Sequence, residues 1–361
     1  MSRFLHSKYK ELAPYVPGEQ PKGQPLVKLN TNENPYPPSP KVIEAVRGAE
    51  AQNLRLYSDP EARQLVNAIA GYYRLLPEQV VVGNGSDEIL AFCYMAFGED
   101  GIRYPEISYG FYPVFSKTFS VEGQAIPLRE DFSIDIRDYQ HAGKTVLIAN
   151  PNAPTGMCLH PAQIEDILKT NREHPVIIDE AYVDFGAESC VSLLPRYDNL
   201  VVVQTFSKSR NLAGGRLGFA LASKELAGDL NKIKFSFNPY NVNRLSIAAG
   251  AAAMEDTAYF TQCTRRVVAT RQLTEERLLA LGFTVLASKA NFLFAKPGNI
   301  SGSEYFQRLR QRDILVRHWD IPKIADYVRI TIGSEEEMER FYQATKEILQ
   351  QAQQEGAGDA I

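Results

Sequence analysis

Five short apolar runs without alternation set the tightest limit on how this chain folds: Val80–Val82, Thr145–Ala149, Val176–Ile178, Leu200–Val203 and Leu217–Leu221. A strand with one wet face alternates polar and apolar residues, whereas a strand covered on both faces reads as unbroken hydrophobicity. Most of the runs are separated by stretches of helical spacing, among them Ser86–Phe97 and Pro161–Asn171, and an alanine-rich helical stretch, Leu245–Met254, follows the last run. The pattern predicts an α/β fold built on a mainly parallel sheet flanked by helices. Beyond about residue 260 the character changes. A long helical pattern, Thr264–Leu281, leads into Ala290–Ala295, Glu304–Arg312 and Val328–Ile332, which reads as a smaller α+β unit. Ahead of the first run, Pro35, Pro37, Pro38 and Pro40 forbid a continuous helix. The expected division is an N-terminal arm over 1–40 joining the small domain, a large domain over 41–260 and a C-terminal small domain over 261–361.

Composition removes several functional classes. With 44% hydrophobic and 23% charged residues, the chain has no apolar run near the roughly 20 residues that a bilayer demands, so no membrane partner is expected. A net charge of -4 with interspersed signs leaves no basic stripe for nucleic acid. Cys93, Cys158, Cys190 and Cys263 lack the spacing of metal ligands or of a disulfide framework, so no metal is expected. The start, Met1 to Lys8, has neither the apolar core nor the cleavage site of a secretory signal, and a cytoplasmic protein is expected.

In open parallel sheets, ligands bind beyond the carboxyl ends of the strands. Reading past each run therefore collects candidate site residues. Gly83-Asn84-Gly85-Ser86-Asp87-Glu88 follows the first run, and Asn150-Pro151-Asn152-Ala153-Pro154-Thr155-Gly156 the second. Asp179-Glu180-Ala181-Tyr182 follows the third, and Thr205-Phe206-Ser207-Lys208 the fourth. A glycine loop opening a helix offers N–H groups and a dipole that favour an anion. Taken singly, each element has an ordinary structural use: a tight turn, a helix cap or a surface lysine.

Together with Arg216, the set resembles the fold-type I pyridoxal-phosphate aminotransferases, a resemblance that spans most of the chain and is densest from Asn150 to Gly218. It implies a large domain with a mostly parallel sheet, a smaller α+β domain and pyridoxal phosphate as cofactor. Lys208 is then the residue that holds the cofactor aldehyde as an imine and, once freed by the substrate amine, moves a proton. Asp179 supports a protonated pyridine nitrogen, and Asn152 and Tyr182 donate to the ring's phenolic oxygen. Ser86, Asp87, Ser207 and Arg216 hold the phosphate, with Thr205 a weaker candidate, and Tyr109 stacks on the ring.

Within that group the sequence is most similar to the histidinol-phosphate aminotransferase family. The matching stretches are Leu29–Pro35, Arg55–Pro60, Gly83–Glu88, Asn238–Asn243, Ala290–Phe292 and Val328–Gly333. The resemblance implies transamination between L-histidinol phosphate and 2-oxoglutarate in histidine biosynthesis. It also implies a homodimer in which Tyr57 reaches the partner's cofactor phosphate. In Val328–Ile332 the alternation puts Arg329 on the face opposite its apolar neighbours, where it can clamp an anionic substrate. Arg317 is a candidate second clamp and Tyr15 a third contact. The chain departs from the family pattern at Ala153, where a second Asn is common, and at Gly215. Aromatic amino acid aminotransferases and threonine-phosphate decarboxylases share the pattern, and a non-enzymatic PLP-binding module is a further alternative.

Overall fold

The computed structural model describes residues 3–20 and 26–358. After a short strand in the N-terminal arm, β1 (Val27–Lys28), the chain lays down β2 (Val80–Gly83), β3 (Ile102–Pro105), β4 (Gly123–Ile126), β5 (Thr145–Ala149), β6 (Val176–Asp179), β7 (Leu200–Thr205) and β8 (Gly218–Ala222). These last seven form one sheet in the order β2-β8-β7-β6-β5-β3-β4. All neighbours are parallel except β8, which runs antiparallel to both β2 and β7.

The apolar runs are continuous because each strand feeds two cores. Val146 and Ile148 of β5 pack into one apolar cluster with Val176, Ile178, Leu200 and Val202. Leu147, Ile177, Val201 and Val203 point the other way, into a second cluster with Ile89, Leu90 and Phe92 of the helix Ser86–Phe97. Period-2 geometry thus splits each run between two helical layers. The edge strand β4, with sequence GQAI, is partly exposed and carries no such signal.

The C-terminal part holds β9 (Thr284–Val285), β10 (Phe292–Lys296), β11 (Ile314–Leu315), β12 (Arg317–His318) and β13 (Val328–Thr331). Four of these form a sheet ordered β12-β13-β10-β9. The long helix before it, Thr257–Ala280, begins earlier than its apolar spacing suggests, because the Asp256 side chain caps its first turn. The arm is stitched to this region: β1 pairs in parallel with β11, and the Leu29 carbonyl accepts from the Thr331 amide at 2.9 Å. Residues just after β1 are thereby fixed over the carboxyl edge of the large sheet. No helix among the described residues is long and apolar enough to cross a membrane.

Candidate active site

The carboxyl ends of β5, β6 and β7, the start of the helix Ser86–Phe97, the arm and the β12–β13 pair enclose a cavity of about 740 Å³. Lys208 stands in it, with Nζ donating to the Thr31 carbonyl at 3.2 Å. The Asn34 side chain fixes the backbone carbonyl of Lys208 at 3.0 Å. Burial, helped by the Arg329 charge, pushes the Lys208 ammonium down to about 8. A neutral amine is therefore available near physiological pH. The rate at which cofactor-free protein captures pyridoxal phosphate is expected to rise with pH and level off just above pH 8. Capture by an exposed lysine would keep rising toward about pH 10; stopped-flow absorbance distinguishes the two profiles.

Asp179 ends β6 and is 4% exposed. One carboxylate oxygen accepts from the Tyr112 hydroxyl at 2.9 Å, the other from the Ala181 amide at 3.2 Å. Burial pushes this carboxyl up to about 6 despite those two donors. Among the described residues no cation pairs with it. A buried carboxylate so placed is suited to a protonated ring nitrogen.

The anion cradle lies where β8 meets the glycine loop. Gly85 has φ +86°, a left-handed conformation that favours glycine, and a Cβ there would strike the Arg216 guanidinium at 2.6 Å. A Cβ on Gly218 would meet the Ser86 amide nitrogen at 2.2 Å, so only glycine lets β8 approach the helix start. Ser86, Asp87, Thr205, Ser207 and Arg216 all line the cavity here. Asp87 accepts from the Tyr109 hydroxyl at 2.7 Å and pairs with Arg216 at 3.3 Å, tying Tyr109 to the cradle. The helix N-terminus and guanidinium together fit a phosphate.

Where the β12–β13 pair lines the cavity, Arg317 and Arg329 face each other directly across it. Like charges in that register oppose pairing, a repulsion that an anion held between them would relieve. Arg329 lies against the rings of Phe292 and Trp319, at 5.4 and 5.3 Å to their centroids, and donates to the Asn30 carbonyl at 2.9 Å. Its buried Nε has no hydrogen-bond partner among the described residues. Arg317 donates to the Val16 carbonyl at 3.2 Å, and Tyr15 stacks on Phe111 at 4.4 Å, so the arm helps wall the same space.

Two sequence candidates stand elsewhere. Asn152 is buried behind the cavity wall, its amide donating to the Ile107 carbonyl at 2.9 Å, and Ala153 lines the cavity in its place. The expectation is that its carboxamide meets the ring; in the structure the turn takes up its donors. Tyr57 is 79% exposed and stacks on Tyr240 at 4.6 Å, away from its own chain's cavity. Sequence reasoning passed over Asn32, whose Nδ2 donates to the Tyr182 hydroxyl at 2.9 Å, and Tyr112, which holds Asp179. Asn32 was visible within an Asn-rich motif, while Tyr112 was hidden among neighbouring aromatics.

Residues 24–344 match the family Aminotransferase class I and II. The chain belongs to that family. Among the similar proteins is the histidinol-phosphate aminotransferase of Acinetobacter baumannii, 51% identical over 96% of this chain and 97% of the relative. The crystal structure of the histidinol-phosphate aminotransferase from Clostridium acetobutylicum superposes with a TM-score of 0.83 at 27% identity, covering 90% of this chain and 100% of that one. The Sinorhizobium meliloti histidinol-phosphate aminotransferase, solved in complex with pyridoxal-5′-phosphate, shares the fold with a TM-score of 0.82 at 24% identity, covering 90% of this chain and 91% of that one. Within this class I and II aminotransferase, the Lys208–Asp179 cavity is the candidate active site.

Proposed function

We propose that the chain is a pyridoxal-phosphate-dependent transaminase that moves the amino group of L-histidinol phosphate to 2-oxoglutarate, in histidine biosynthesis. The observation that carries the substrate reading is the opposed Arg317–Arg329 pair in the same cavity as Lys208 and Asp179. Two guanidiniums in register make a divided anion clamp, able to hold the phosphate of one substrate and the distal carboxylate of the other.

The chemistry supplied by bound pyridoxal phosphate is an electron sink that acidifies the C–H bond of the amino-bearing carbon and stores the amino group between half-reactions. Lys208 anchors it and, as a neutral amine, takes up and returns the proton. Asp179 holds positive charge at the ring nitrogen, where burial strengthens the pairing. Ser86, Ser207 and Arg216 hold the phosphate arm, and Tyr109 covers a ring face. Arg329→Gln should raise KM for both histidinol phosphate and glutamate by about 100-fold while kcat falls far less, since a clamp on the substrate tail binds ground and transition states alike. Steady-state kinetics on each substrate checks this. An unchanged KM for both would remove the clamp.

The active unit in this reading is a homodimer, and Tyr57 completes the partner's phosphate site. Supporting it, Tyr57 and Tyr240 stack on the surface with Leu56 and Phe237 exposed beside them in sequence, an apolar group suited to burial against a second copy. Tyr57→Ala chains mixed with Lys208→Ala chains should regain activity that neither homodimer has. In the mixed dimer, one site receives an intact Lys208 from its own chain and an intact Tyr57 from the other. No gain on mixing would contradict a shared site. A cytoplasmic location belongs to the same reading.

A further inference from the structure

In pyridoxal phosphate the aldehyde carbon lies opposite the ring nitrogen, flanked on one side by the phenolic oxygen and on the other by the carbon bearing the phosphate arm. Lys208 marks the aldehyde end of the cavity, Asp179 the nitrogen end, and the Ser86–Arg216 cradle one flank. With the aldehyde assigned to Lys208, the ring nitrogen to Asp179 and the phosphate to the cradle, the phenolic oxygen is left to the flank we assign to Ala153, Pro154 and Tyr182, all three of which line the cavity. Ala153 offers that flank a methyl group and Pro154 has no N–H.

Asn152 is the amide nearest in sequence, and its polar atoms are committed elsewhere. It is 1% exposed. Its Nδ2 donates to the Ile107 carbonyl at 2.9 Å and to the Thr155 hydroxyl at 3.3 Å, while its Oδ1 accepts from the Ser108 hydroxyl at 2.7 Å. Its backbone amide donates to the Met157 carbonyl at 2.8 Å, and its carbonyl accepts from the Gly156 amide at 2.7 Å. These bonds hold Ile107 and Ser108, the two residues before the aromatic Tyr109.

Tyr182 shows the opposite arrangement. Its hydroxyl accepts from Asn32 at 2.9 Å, which leaves its hydrogen free to be donated into the cavity. Asn32 is itself fixed in a left-handed conformation, φ 57°. Its backbone amide donates to Thr331 Oγ1 at 3.0 Å, its Oδ1 accepts from the same hydroxyl at 2.9 Å, and its carbonyl accepts from Asn291 at 3.0 Å.

We propose that Tyr182, oriented by Asn32, is the sole side-chain donor to the cofactor's phenolic oxygen among the described residues, and that Asn152 is a positioning residue bracing the loop that carries Tyr109. The inference rests on pyridoxal phosphate occupying this cavity. It separates two residues of neighbouring motifs that the same chemistry would otherwise group together. Arg329, Asp179, Tyr15 and Lys208 also face Tyr182, and all four stay in place in the variants below.

The test is a pH titration of the visible absorbance of the cofactor-loaded protein. A donor to the phenolic oxygen stabilises its anion, so removing the donor moves the midpoint up and adding one moves it down. Tyr182→Phe is expected to raise the midpoint by about one pH unit, Asn32→Ala to raise it by less, and Ala153→Asn to lower it. Asn152→Ala is expected to leave the midpoint in place while weakening cofactor binding about tenfold, with little further loss when combined with Ser108→Ala. An Asn152→Ala midpoint that rises as far as that of Tyr182→Phe overturns the proposal. So does a Tyr182→Phe midpoint that does not move, a result that decides the matter even if Asn152→Ala fails to fold. Absence of any visible band in the unsubstituted protein loaded with pyridoxal phosphate defeats the cofactor reading itself, and this inference with it.

Discussion

Lys208→Ala should lower turnover by at least about a thousandfold, because one side chain serves both as the covalent anchor and as the proton carrier, and a positioned general base alone contributes about 10²–10⁴-fold. The fold should survive the change. Among the described residues Lys208 makes one hydrogen bond through Nζ, to the Thr31 carbonyl, and its ammonium is disfavoured by burial. Lys208→Arg restores positive charge without a usable amine and should be as inactive as the alanine variant. Single-turnover measurement on protein loaded with pyridoxal phosphate, alongside thermal unfolding of the cofactor-free protein, separates loss of chemistry from loss of structure. Full turnover by Lys208→Ala would contradict the assignment outright.

Asp179→Ala is expected to have the second-largest effect, of about two to nearly four orders of magnitude in kcat. Removing one member of a buried charge pair costs about 3–5 kcal/mol, because the remaining charge is left without its counterpart. Stability should move the other way. In the cofactor-free protein this carboxyl is raised from 3.8 to about 6 by burial, so the folded state binds the proton more tightly than the unfolded state. Its contribution to stability therefore falls as pH rises through that window, and above pH 6 the ionised group is a net cost of about 3 kcal/mol. Asp179→Asn keeps the shape and removes the charge, so the cofactor-free variant should unfold at the same or higher temperature at pH 7 and show no such pH dependence. A variant with lower activity and much lower stability would mark Asp179 as structural.

The large sheet was legible because most of its strands are covered on both faces, so hydrophobicity alone outlines the central Thr145–Ala149, Val176–Asp179 and Leu200–Thr205 and the buried edge strand Val80–Gly83. Direction was not legible. The strand Gly218–Ala222 runs antiparallel to both its neighbours yet is as buried as the parallel strands Val176–Asp179 and Leu200–Thr205, and an unbroken apolar run says nothing about the sense of pairing. The edge strand Gly123–Ile126 went unnoticed because it is partly exposed and short. Reading past strand ends, a rule that follows from topology, pointed to Lys208, Asp179 and Tyr182, all of which line the cavity. Asn152 shows where that rule stops. Neighbouring residues of a tight turn point in different directions, and here Ala153 lines the cavity while Asn152 binds the loop behind it. Asn32 and Tyr112 act through Tyr182 and Asp179, and such contacts between distant parts of the chain leave no local pattern.

The central claim is that this cavity performs transamination on a phosphorylated amino alcohol. The most direct measurement is kcat/KM for the cofactor-loaded protein with 2-oxoglutarate as acceptor, using histidinol phosphate, phenylalanine, tyrosine and threonine phosphate in turn as amino donor. Glutamate release and carbon dioxide release are followed together. Histidinol phosphate should give glutamate with a kcat/KM well above that of either aromatic amino acid, and no donor should release carbon dioxide. A higher kcat/KM for phenylalanine or tyrosine, or carbon dioxide from threonine phosphate without glutamate, would contradict it.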